Sequence, residues 1–340
     1  MTKVEGQFAI QELGTFDAPW AMALLPQGRM LVTEKAGKLK LRDADGSVSE
    51  VPLPFKVDFG GQGGLGDVIA APDFAKSGRI YLSWVEAGEN DTRGAAVGTA
   101  TLVLGSDAPR LDGFEVIWRQ NPKVTGRGHY SHRLVISPDR KHLYIASGER
   151  QKMQPAQDPK SDLGKVIRLP IDASGKQAGA AEHVSMGHRN ILGLQFAPDG
   201  RLWDLEHGPA GGDELNLVKP GANYGWPLVS EGRHYSGEFI PHHDTRPEFT
   251  APALYWNPVI APGGMTFYTG KMWPEWHGQL LIGAMNPTAV VRVKISGDKA
   301  SEEARYPMAK RIRAIAQASD GALLVLEDGK DGRLLRLSRK

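Results

Sequence analysis

Two histidines lie close together at residues 126–134, which read GRGHYSHRL. His129 and His132 are candidates for a general base, because an imidazole titrates near neutral pH. The segment precedes a strand-like repeat, so it predicts a loop that enters a strand. A surface-loop histidine without a chemical role is the alternative for each residue.

A second polar segment covers residues 187–200 and reads GHRNILGLQFAPDG. Arg189 and Asn190 precede an apolar stretch at 191–196, which predicts a buried strand. An arginine beside an amide at the mouth of a strand can bind an anion or a quinone oxygen. A surface ion pair is the alternative.

Residues 206–227 form a turn-rich segment that reads EHGPAGGDELNLVKPGANYGWP. Calcium takes oxygen ligands, which include backbone carbonyls. The carbonyls of Gly208 and Pro209 could bind one ion, and the carboxylate of Glu214 could bind another. The spacing is not that of an EF-hand loop, so a loop made only of turns is the alternative.

Arg311 and Arg313 lie two residues apart in the segment KRIRAIAQASDG. In an extended strand they project to the same face, while Ile312 packs on the other side. Two adjacent guanidinium groups repel each other, so we expect an anionic ligand with several carboxylates between them. The solvated face of an edge strand is the alternative.

These segments alternate with a recurring unit, in which an Asp-Gly-type turn leads into short strands of alternating polarity. Copies of the unit begin at residues 25, 72, 137, 197, 276 and 318. Radial repetition of this kind predicts an all-β, six-bladed β-propeller, which we expect to form one domain over residues 1–340. Gln62, in a glycine-rich segment, would be a polar contact inside the channel. Unrelated hairpins in a sandwich or in two barrels are the alternative.

The charge balance and the absence of cysteine exclude several classes of function. The formal net charge is +2, and no basic run predicts binding to nucleic acid or to an anionic membrane. No apolar stretch is long enough to span a bilayer. The chain has no cysteine, which excludes thiolate metal sites and a cysteine nucleophile. The first seven residues lack the apolar core of a signal peptide, so we expect either a cytoplasmic protein or one whose signal has been removed.

Read in order, several motifs resemble those of the soluble quinoprotein sugar dehydrogenases. The motifs are GQGGLGD, GH with an arginine four residues later, GHRN, EHGP, GGDELN, NYGWP and RIR. The likeness is to the aldose sugar dehydrogenase branch of the glucose/sorbosone dehydrogenase family, and it covers nearly the whole chain. It implies a six-bladed propeller with pyrroloquinoline quinone (PQQ) over the channel mouth and calcium beside it.

The resemblance also implies a role for individual residues. His129, with Arg133 four residues later, matches the catalytic histidine, whereas His132 matches no catalytic position. Arg189 would stabilise the oxyanion that develops on the quinone. Contacts to the cofactor are implied at Gln62, Arg189, Asn190, Tyr235, Arg311 and Arg313. Calcium ligands are implied at Gly208 and Pro209 for the active-site ion, and at Glu214 and the Tyr224 backbone for a further ion.

The implied reaction is oxidation of an aldose at its anomeric carbon to a lactone. The electrons would pass through PQQ to an external acceptor, a quinone or a cytochrome, because the chain has no haem or iron–sulfur motif. Members of the family usually act outside the cytoplasm, so we expect a periplasmic or secreted protein.

Two positions depart from the family pattern. Asn286 or Pro287 stands where many members carry a lysine that touches the cofactor. The absence of this lysine would weaken cofactor binding. Gly128 stands where some glucose-oxidising members carry an aspartate, which argues against a preference for glucose. Two other functions are alternatives: a calcium-dependent, lactonase-like hydrolase on the same propeller, and a non-catalytic propeller that serves as a binding scaffold.

Overall fold

Twenty-five strands account for most of the secondary structure in a computed structural model that describes residues 2–3, 6–105 and 108–340. Two strands precede the first blade, β1 (Thr2–Lys3) and β2 (Phe8–Phe16). Blades one to three contain, in chain order, β3 (Pro19–Leu24), β4 (Met30–Glu34), β5 (Lys38–Arg42), β6 (Val48–Val51), β7 (Leu65–Ala70), β8 (Arg79–Ala87), β9 (Arg93–Val103), β10 (Arg110–Arg119), β11 (Ser131–Ile136), β12 (His142–Ser147), β13 (Lys165–Pro170) and β14 (Glu182–Met186).

Blades four to six contain β15 (Ile191–Phe196), β16 (Leu202–Glu206), β17 (Asp213–Leu217), β18 (Leu254–Trp256), β19 (Pro262–Phe267), β20 (Leu280–Met285), β21 (Thr288–Ser296), β22 (Lys299–Pro307), β23 (Ile312–Gln317), β24 (Leu323–Glu327) and β25 (Gly332–Arg339). The helical elements in the described chain are one turn of α-helix (Phe74–Ser77) and four 3₁₀ turns (Pro26–Gly28, Gln154–Gln157, His243–Thr245, Pro274–Trp276). No helix in the described ranges is both long enough and apolar enough to cross a membrane.

The first strand of each blade lies at the centre of the molecule. These six strands, β3, β7, β11, β15, β19 and β23, contact one another in sequence, and β23 contacts β3, so they close a ring around a channel. One large apolar cluster lies at each of the six interfaces between neighbouring blades. The prediction of a six-bladed β-propeller is confirmed.

The strand patterns follow from this layering. The second strand of a blade is packed on both faces, and β24, which reads LLVLE, is buried throughout. The third strand of the first blade, β5, alternates instead, with Leu39 and Leu41 buried and its basic residues more exposed. The turn-and-strand units recognised in the sequence each correspond to the step from the innermost strand to the second.

A strand from the N-terminal part of the chain completes the sixth blade. β2 pairs antiparallel with β25, so this blade is built from both ends of the chain. β1 pairs in parallel with β22 at the outer edge of the fifth blade. The sequence pattern predicts no strand before the first repeat, because most of β2 is exposed and it lacks the turn that introduces the other units.

Each innermost strand has an irregular register close to its first residue. Such bulges change the direction in which a side chain points. Trp20, His132, Leu192 and Arg313 lie within four of these irregularities, and all four line the channel mouth. The bulges therefore turn side chains into the mouth at one end of the ring.

Candidate active site

The residues predicted to act in catalysis and cofactor binding meet in one pocket. The pocket has a volume of about 220 Å³ and lies at the channel mouth. Its predicted members are Gln62, His129, Arg189, Asn190, Tyr235, Arg311 and Arg313. Most of them lie in loops that enter an innermost strand. Loops that join a second to a third strand add lining residues that the sequence analysis did not assign, among them Lys35 and His207.

His129 is held by a carboxylate that the sequence analysis missed. Nδ1 of His129 donates a hydrogen bond to Oε1 of Glu149, which follows β12 and is fully buried. Since an ionised carboxylate only accepts, the neutral imidazole carries its proton on Nδ1 and leaves the Nε2 lone pair free. Burial lowers the pKa of His129 below 6.5, although the bond to Glu149 opposes this shift. The result is a neutral, oriented imidazole in the pocket wall.

The loop that carries His129 is fixed by hydrogen bonds that are buried or partly buried. The backbone N–H of His129 donates to Oε1 of Gln62, at 2.8 Å. Arg150 donates through Nε to the carbonyl of Gly128, at 2.9 Å, and through Nη2 to the carbonyl of Gly126, at 2.6 Å. Its guanidinium also lies 3.7 Å from the centre of the Tyr130 ring. These contacts stabilise the left-handed backbone of His129, whose φ is 47°.

His132 occupies the floor of the pocket rather than its wall. Its Nδ1 lies 3.0 Å from Oγ of Ser83, and burial lowers its pKa to about 3. A side chain at residue 66 would meet the His132 ring at 2.0 Å, so glycine is required there. The guanidinium of Arg133, the next residue, lies 3.7 Å from the centre of the Trp20 ring. It forms an ion pair with Asp67 at 3.3 Å. This geometry supports His129 rather than His132 as the candidate base.

Arg311 and Arg313 do point to the same side, but a carboxylate already lies between them. Asp328 accepts from Nε of Arg313 at 2.8 Å and pairs with Nε of Arg311 at 3.1 Å. Burial would raise the pKa of Asp328, but the two arginine charges hold it below 3.8. Asp328 therefore already offsets part of the repulsion between the two arginines, and the expected anionic ligand would not be their sole counter-charge. Ile312, as predicted, is buried in the apolar cluster between blades five and six.

Lys35 adds a further cation beside the two arginines. It follows β4 and lines the pocket. In the described parts of the chain its ammonium makes no hydrogen bond and has no carboxylate within ion-pair distance, which leaves it free to bind a ligand. Burial, and then the charge of Arg313, lower its pKa from 10.5. With Arg189, Arg311 and Arg313 it gives the lining four basic side chains and, among described residues, no carboxylate.

Arg189 lies on the opposite wall, beneath aromatic rings. Its guanidinium is 5.1 Å from the Trp226 ring centre and 6.0 Å from that of Tyr235, and it donates to the carbonyl of His207 at 3.1 Å. Tyr235 is 79% exposed and stands at the rim of the pocket. Asn190 faces the floor, where its Oδ1 accepts from Ser131 at 3.4 Å. Arg189 and Asn190 therefore both line the pocket, from the loop that enters β15.

The four predicted calcium ligands surround one small cavity. Gly208, Pro209, Glu214 and Tyr224 line a space of about 10 Å³, next to Arg189. That volume matches about one water-sized body. Predicted ligands of both calcium sites therefore line the same cavity.

The donor chemistry around this cavity suits a hard cation. Among described residues, neither the Gly208 nor the Pro209 carbonyl accepts a hydrogen bond. Asp213 orders this turn, because its carboxylate accepts from the N–H groups of Gly208 (2.9 Å), Ile260 (2.8 Å) and Ala261 (2.7 Å). Burial raises the pKa of Asp213 to about 6, and the sequence analysis did not single out this residue.

The structure shows the surroundings of the two positions that depart from the family pattern. Asn286 and Pro287 are exposed and lie outside the pocket lining, whereas Met285 lines it. A side chain at residue 128 would meet Oε1 of Gln151 at 2.3 Å, so Gln151 fills the space beside Gly128.

Comparisons with known proteins agree with this geometry. A family model described as glucose/sorbosone dehydrogenase matches residues 16–336. The chain is 40% identical to the aldose sugar dehydrogenase YliI of Escherichia coli K12, over 95% of this chain and 90% of that protein. It is 32% identical to the uncharacterised protein slr1608 of Synechocystis, over 97% of this chain and 86% of that protein.

Solved structures give the same result. The soluble aldose sugar dehydrogenase of Escherichia coli, in its apo form, superimposes with a TM-score of 0.88 at 36% identity, covering 98% of this chain and 100% of the other. The PQQ-bound form of an aldose sugar dehydrogenase from Streptomyces coelicolor superimposes with a TM-score of 0.79 at 25% identity, covering 98% of each. The chain therefore belongs to the glucose/sorbosone dehydrogenase family.

Proposed function

We propose that this protein oxidises aldose sugars at the anomeric carbon to lactones, using PQQ and calcium. The observation that carries the proposal is the pocket itself. Its lining, in the described chain, has four lysine and arginine side chains and no carboxylate, beside a histidine oriented by a buried glutamate. PQQ is a tricarboxylate quinone, so its charge complements Lys35, Arg311 and Arg313. The similarity to sugar dehydrogenases, one of them PQQ-bound, supports the same conclusion.

His129 acts as the base in the proposed reaction. Its free Nε2 accepts the proton of the anomeric hydroxyl while the hydride leaves the same carbon and the C–O bond becomes a carbonyl. Glu149 stabilises the imidazolium that forms. Bound PQQ would supply the acceptor for the hydride. Arg189 stabilises negative charge that develops on the acceptor side of the pocket.

The proposed calcium ligands act beside Arg189. The free carbonyls of Gly208 and Pro209 would hold one ion, and Asp213 keeps their turn in place. When bound, the ion would act as a Lewis acid that polarises an oxygen of the cofactor. Glu214 and the Tyr224 carbonyl would hold a further ion.

The pocket lining argues against the two alternatives. A calcium-dependent lactonase needs several carboxylates or amides that converge on one ion in contact with substrate. In the described chain the pocket lining has no carboxylate, and the convergent carboxylates of the fourth blade are buried. A passive scaffold has no need for a histidine oriented by a glutamate.

Reconstitution tests the proposal directly. The purified chain is incubated with PQQ and calcium, and reduction of a dye is followed with several aldoses. We expect dye reduction that requires the sugar, PQQ and calcium together. PQQ binding without sugar-dependent reduction would favour the scaffold, and lactone hydrolysis without PQQ would favour the lactonase. Gluconate-type product identified by mass spectrometry would support oxidation at the anomeric carbon.

We also propose that an external quinone or cytochrome accepts the electrons, outside the cytoplasm. The absence of cysteine, and thus of an iron–sulfur site, supports the need for a separate carrier. Cell fractionation tests the location, and the rate of reoxidation by a soluble cytochrome against a quinone analogue tests the acceptor.

A further inference from the structure

A second group of polar side chains lies inside the fourth blade. Asp204 and Glu206 on β16 lie opposite Asn216 and Glu214 on β17, as cross-strand partners. His188, from the loop before β15, completes the group. All five side chains are buried, and those of Asp204, Asn216 and His188 are 0% exposed.

The group carries more negative charge than its neighbours can balance. No lysine or arginine in the described chain lies within 4.0 Å of the carboxylates of Asp204, Glu206 or Glu214; in these ranges His188 is the one basic side chain within that distance. The amide nitrogen of Asn216 reaches the three carboxylates at 3.3, 3.2 and 3.5 Å, which are long contacts. Buried charge of this kind requires either protonation or a cation.

One ligand atom of each of three side chains, His188, Asp204 and Glu206, lies at the centre of the group. Oδ2 of Asp204 is fully buried and has no hydrogen bond in the described chain, yet it lies 3.5 Å from Nδ1 of His188. Oε1 of Glu206 lies 3.1 Å from the same nitrogen. Ligands held about 2.1 Å from a metal ion are separated by about 3.0–3.4 Å. The two distances from Nδ1 of His188 are close to this range, and the three ligand atoms all lie within 4.8 Å of one another.

The orientation of His188 fits the same interpretation. Its second nitrogen, Nε2, lies 2.8 Å from Oγ of Ser185, which can accept the ring N–H. A histidine that binds a metal through one nitrogen commonly donates from the other. An imidazole with carboxylates selects divalent transition metals over calcium or magnesium.

We propose that His188, Asp204 and Glu206 bind one divalent transition-metal ion, Zn²⁺ or Mn²⁺, in the interior of the fourth blade. The site is distinct from the proposed calcium ligands at Gly208, Pro209, Glu214 and the Tyr224 backbone, and it does not depend on the proposed reaction. Its role is structural, because the three side chains are closed to solvent.

The ion would also stabilise the turn that presents Arg189 and Asn190 to the active-site pocket. The other oxygen of Glu206, Oε2, accepts from the backbone N–H groups of Arg189 at 2.6 Å and of Asn190 at 3.3 Å. A metal that fixes Glu206 and His188 therefore fixes the turn that presents both residues to the pocket.

Metal analysis tests this proposal. Because the site is closed, the ion has to enter during folding, so the chain is refolded with Zn²⁺, Mn²⁺ or Ca²⁺ and then dialysed against a chelator. We expect about one equivalent of Zn²⁺ or Mn²⁺ to remain by elemental mass spectrometry, and to be released on unfolding. X-ray absorption of the zinc form should show one imidazole among oxygen ligands.

The variant Asp204→Asn removes a ligand charge at constant size, and we expect it to lower metal retention at least about tenfold. The matched control is His183→Gln, since His183 forms an ion pair with Asp162 at 2.8 Å near the surface; it should retain the metal. Retention of calcium alone, less than about 0.1 equivalent of any metal in the refolded wild type, or undiminished retention in Asp204→Asn would overturn the proposal. The wild-type result stands even where a variant fails to fold.

Discussion

The channel mouth is positively charged and open to solvent, whereas the interior of the fourth blade is negatively charged and closed to solvent. The pocket at the mouth is lined by four basic side chains and opens at a rim where Tyr235 is exposed. The fourth blade buries Asp204 and Glu206 within 3.5 Å of His188, and the side chain of the adjacent Arg189 lines the pocket instead. Glu206 connects the two regions, because it bonds both His188 and the Arg189 backbone.

The difference matches the two proposed ligands, PQQ at the channel mouth and a metal ion inside the fourth blade. A large anion that must enter and meet a substrate needs an open site with cations positioned to bind its carboxylates. A small cation that only holds the backbone needs a closed site with short carboxylates, since exclusion of water strengthens each contact. The predictions below test each half of this contrast.

The largest effect is expected for His129→Ala. Loss of the base should lower kcat by about 10²–10⁴-fold and leave the PQQ dissociation constant nearly unchanged. Steady-state kinetics with an aldose, together with a PQQ titration of the same variant, provide the measurement. If His132→Ala lowers kcat to this extent and His129→Ala does not, the assignment of the base is wrong.

Lys35→Met should weaken cofactor binding without any direct effect on the base. Lys35 is partly exposed, so the loss of its charged contact should raise the PQQ dissociation constant about fivefold to tenfold. Lys38→Met, at an exposed position in the same blade, is the control and should bind PQQ as the wild type does. Equal affinity of the two variants would remove Lys35 from the site.

Ionic strength should affect ligand binding at the open channel mouth but not at the closed site inside the fourth blade. Raising ionic strength from about 0.05 to 0.5 M should weaken PQQ binding severalfold, because exposed charges are screened. Metal retained in the fourth blade should not change over the same range. Salt-independent PQQ affinity would mean that the lining cations do not contact the cofactor.

The pH dependence should reveal the environment of His129. Catalysis needs the neutral imidazole, which predominates above its pKa, and burial lowers that pKa below 6.5. Activity should therefore persist below pH 6.5 and fall as the pH drops through the lowered pKa. The acid limb of kcat/KM measures this value for the free enzyme. A limb at or above 6.5 would contradict the buried, neutral histidine.

Local patterns in the sequence were enough to predict the repeats and most of the pocket. Turn residues and alternating strands identify each blade, and the spacing of Arg311 and Arg313 predicts their common direction. Glu149, Asp328 and Lys35 were missed, since each follows a second strand and meets its partner only when the ring closes. Asp328, in particular, changed the electrostatic argument for the paired arginines.

Strand β2, which completes the sixth blade, and the carboxylates inside the fourth blade were not predicted, for related reasons. β2 is mostly exposed and pairs with a strand at the far end of the chain, so its own pattern carries little signal. Asp204 lies in a run of strand residues, LWDLE, that reads as buried and apolar. The polar centre becomes evident when Asp204 is seen beside Glu206, its cross-strand neighbour Asn216 and His188 from the preceding loop.

Calorimetric titration of PQQ into the apo protein, with calcium present, tests the central claim most directly. The wild type should bind one PQQ, and Arg313→Ala should raise the dissociation constant about 10- to 100-fold, since a charge-assisted contact contributes about 1.5–3 kcal/mol. Arg336→Ala, which breaks a surface pair with Asp320 in the same blade, should leave the affinity unchanged. No binding to the wild type, or equal affinity in all three proteins, would contradict the assignment of this basic pocket as a quinone site.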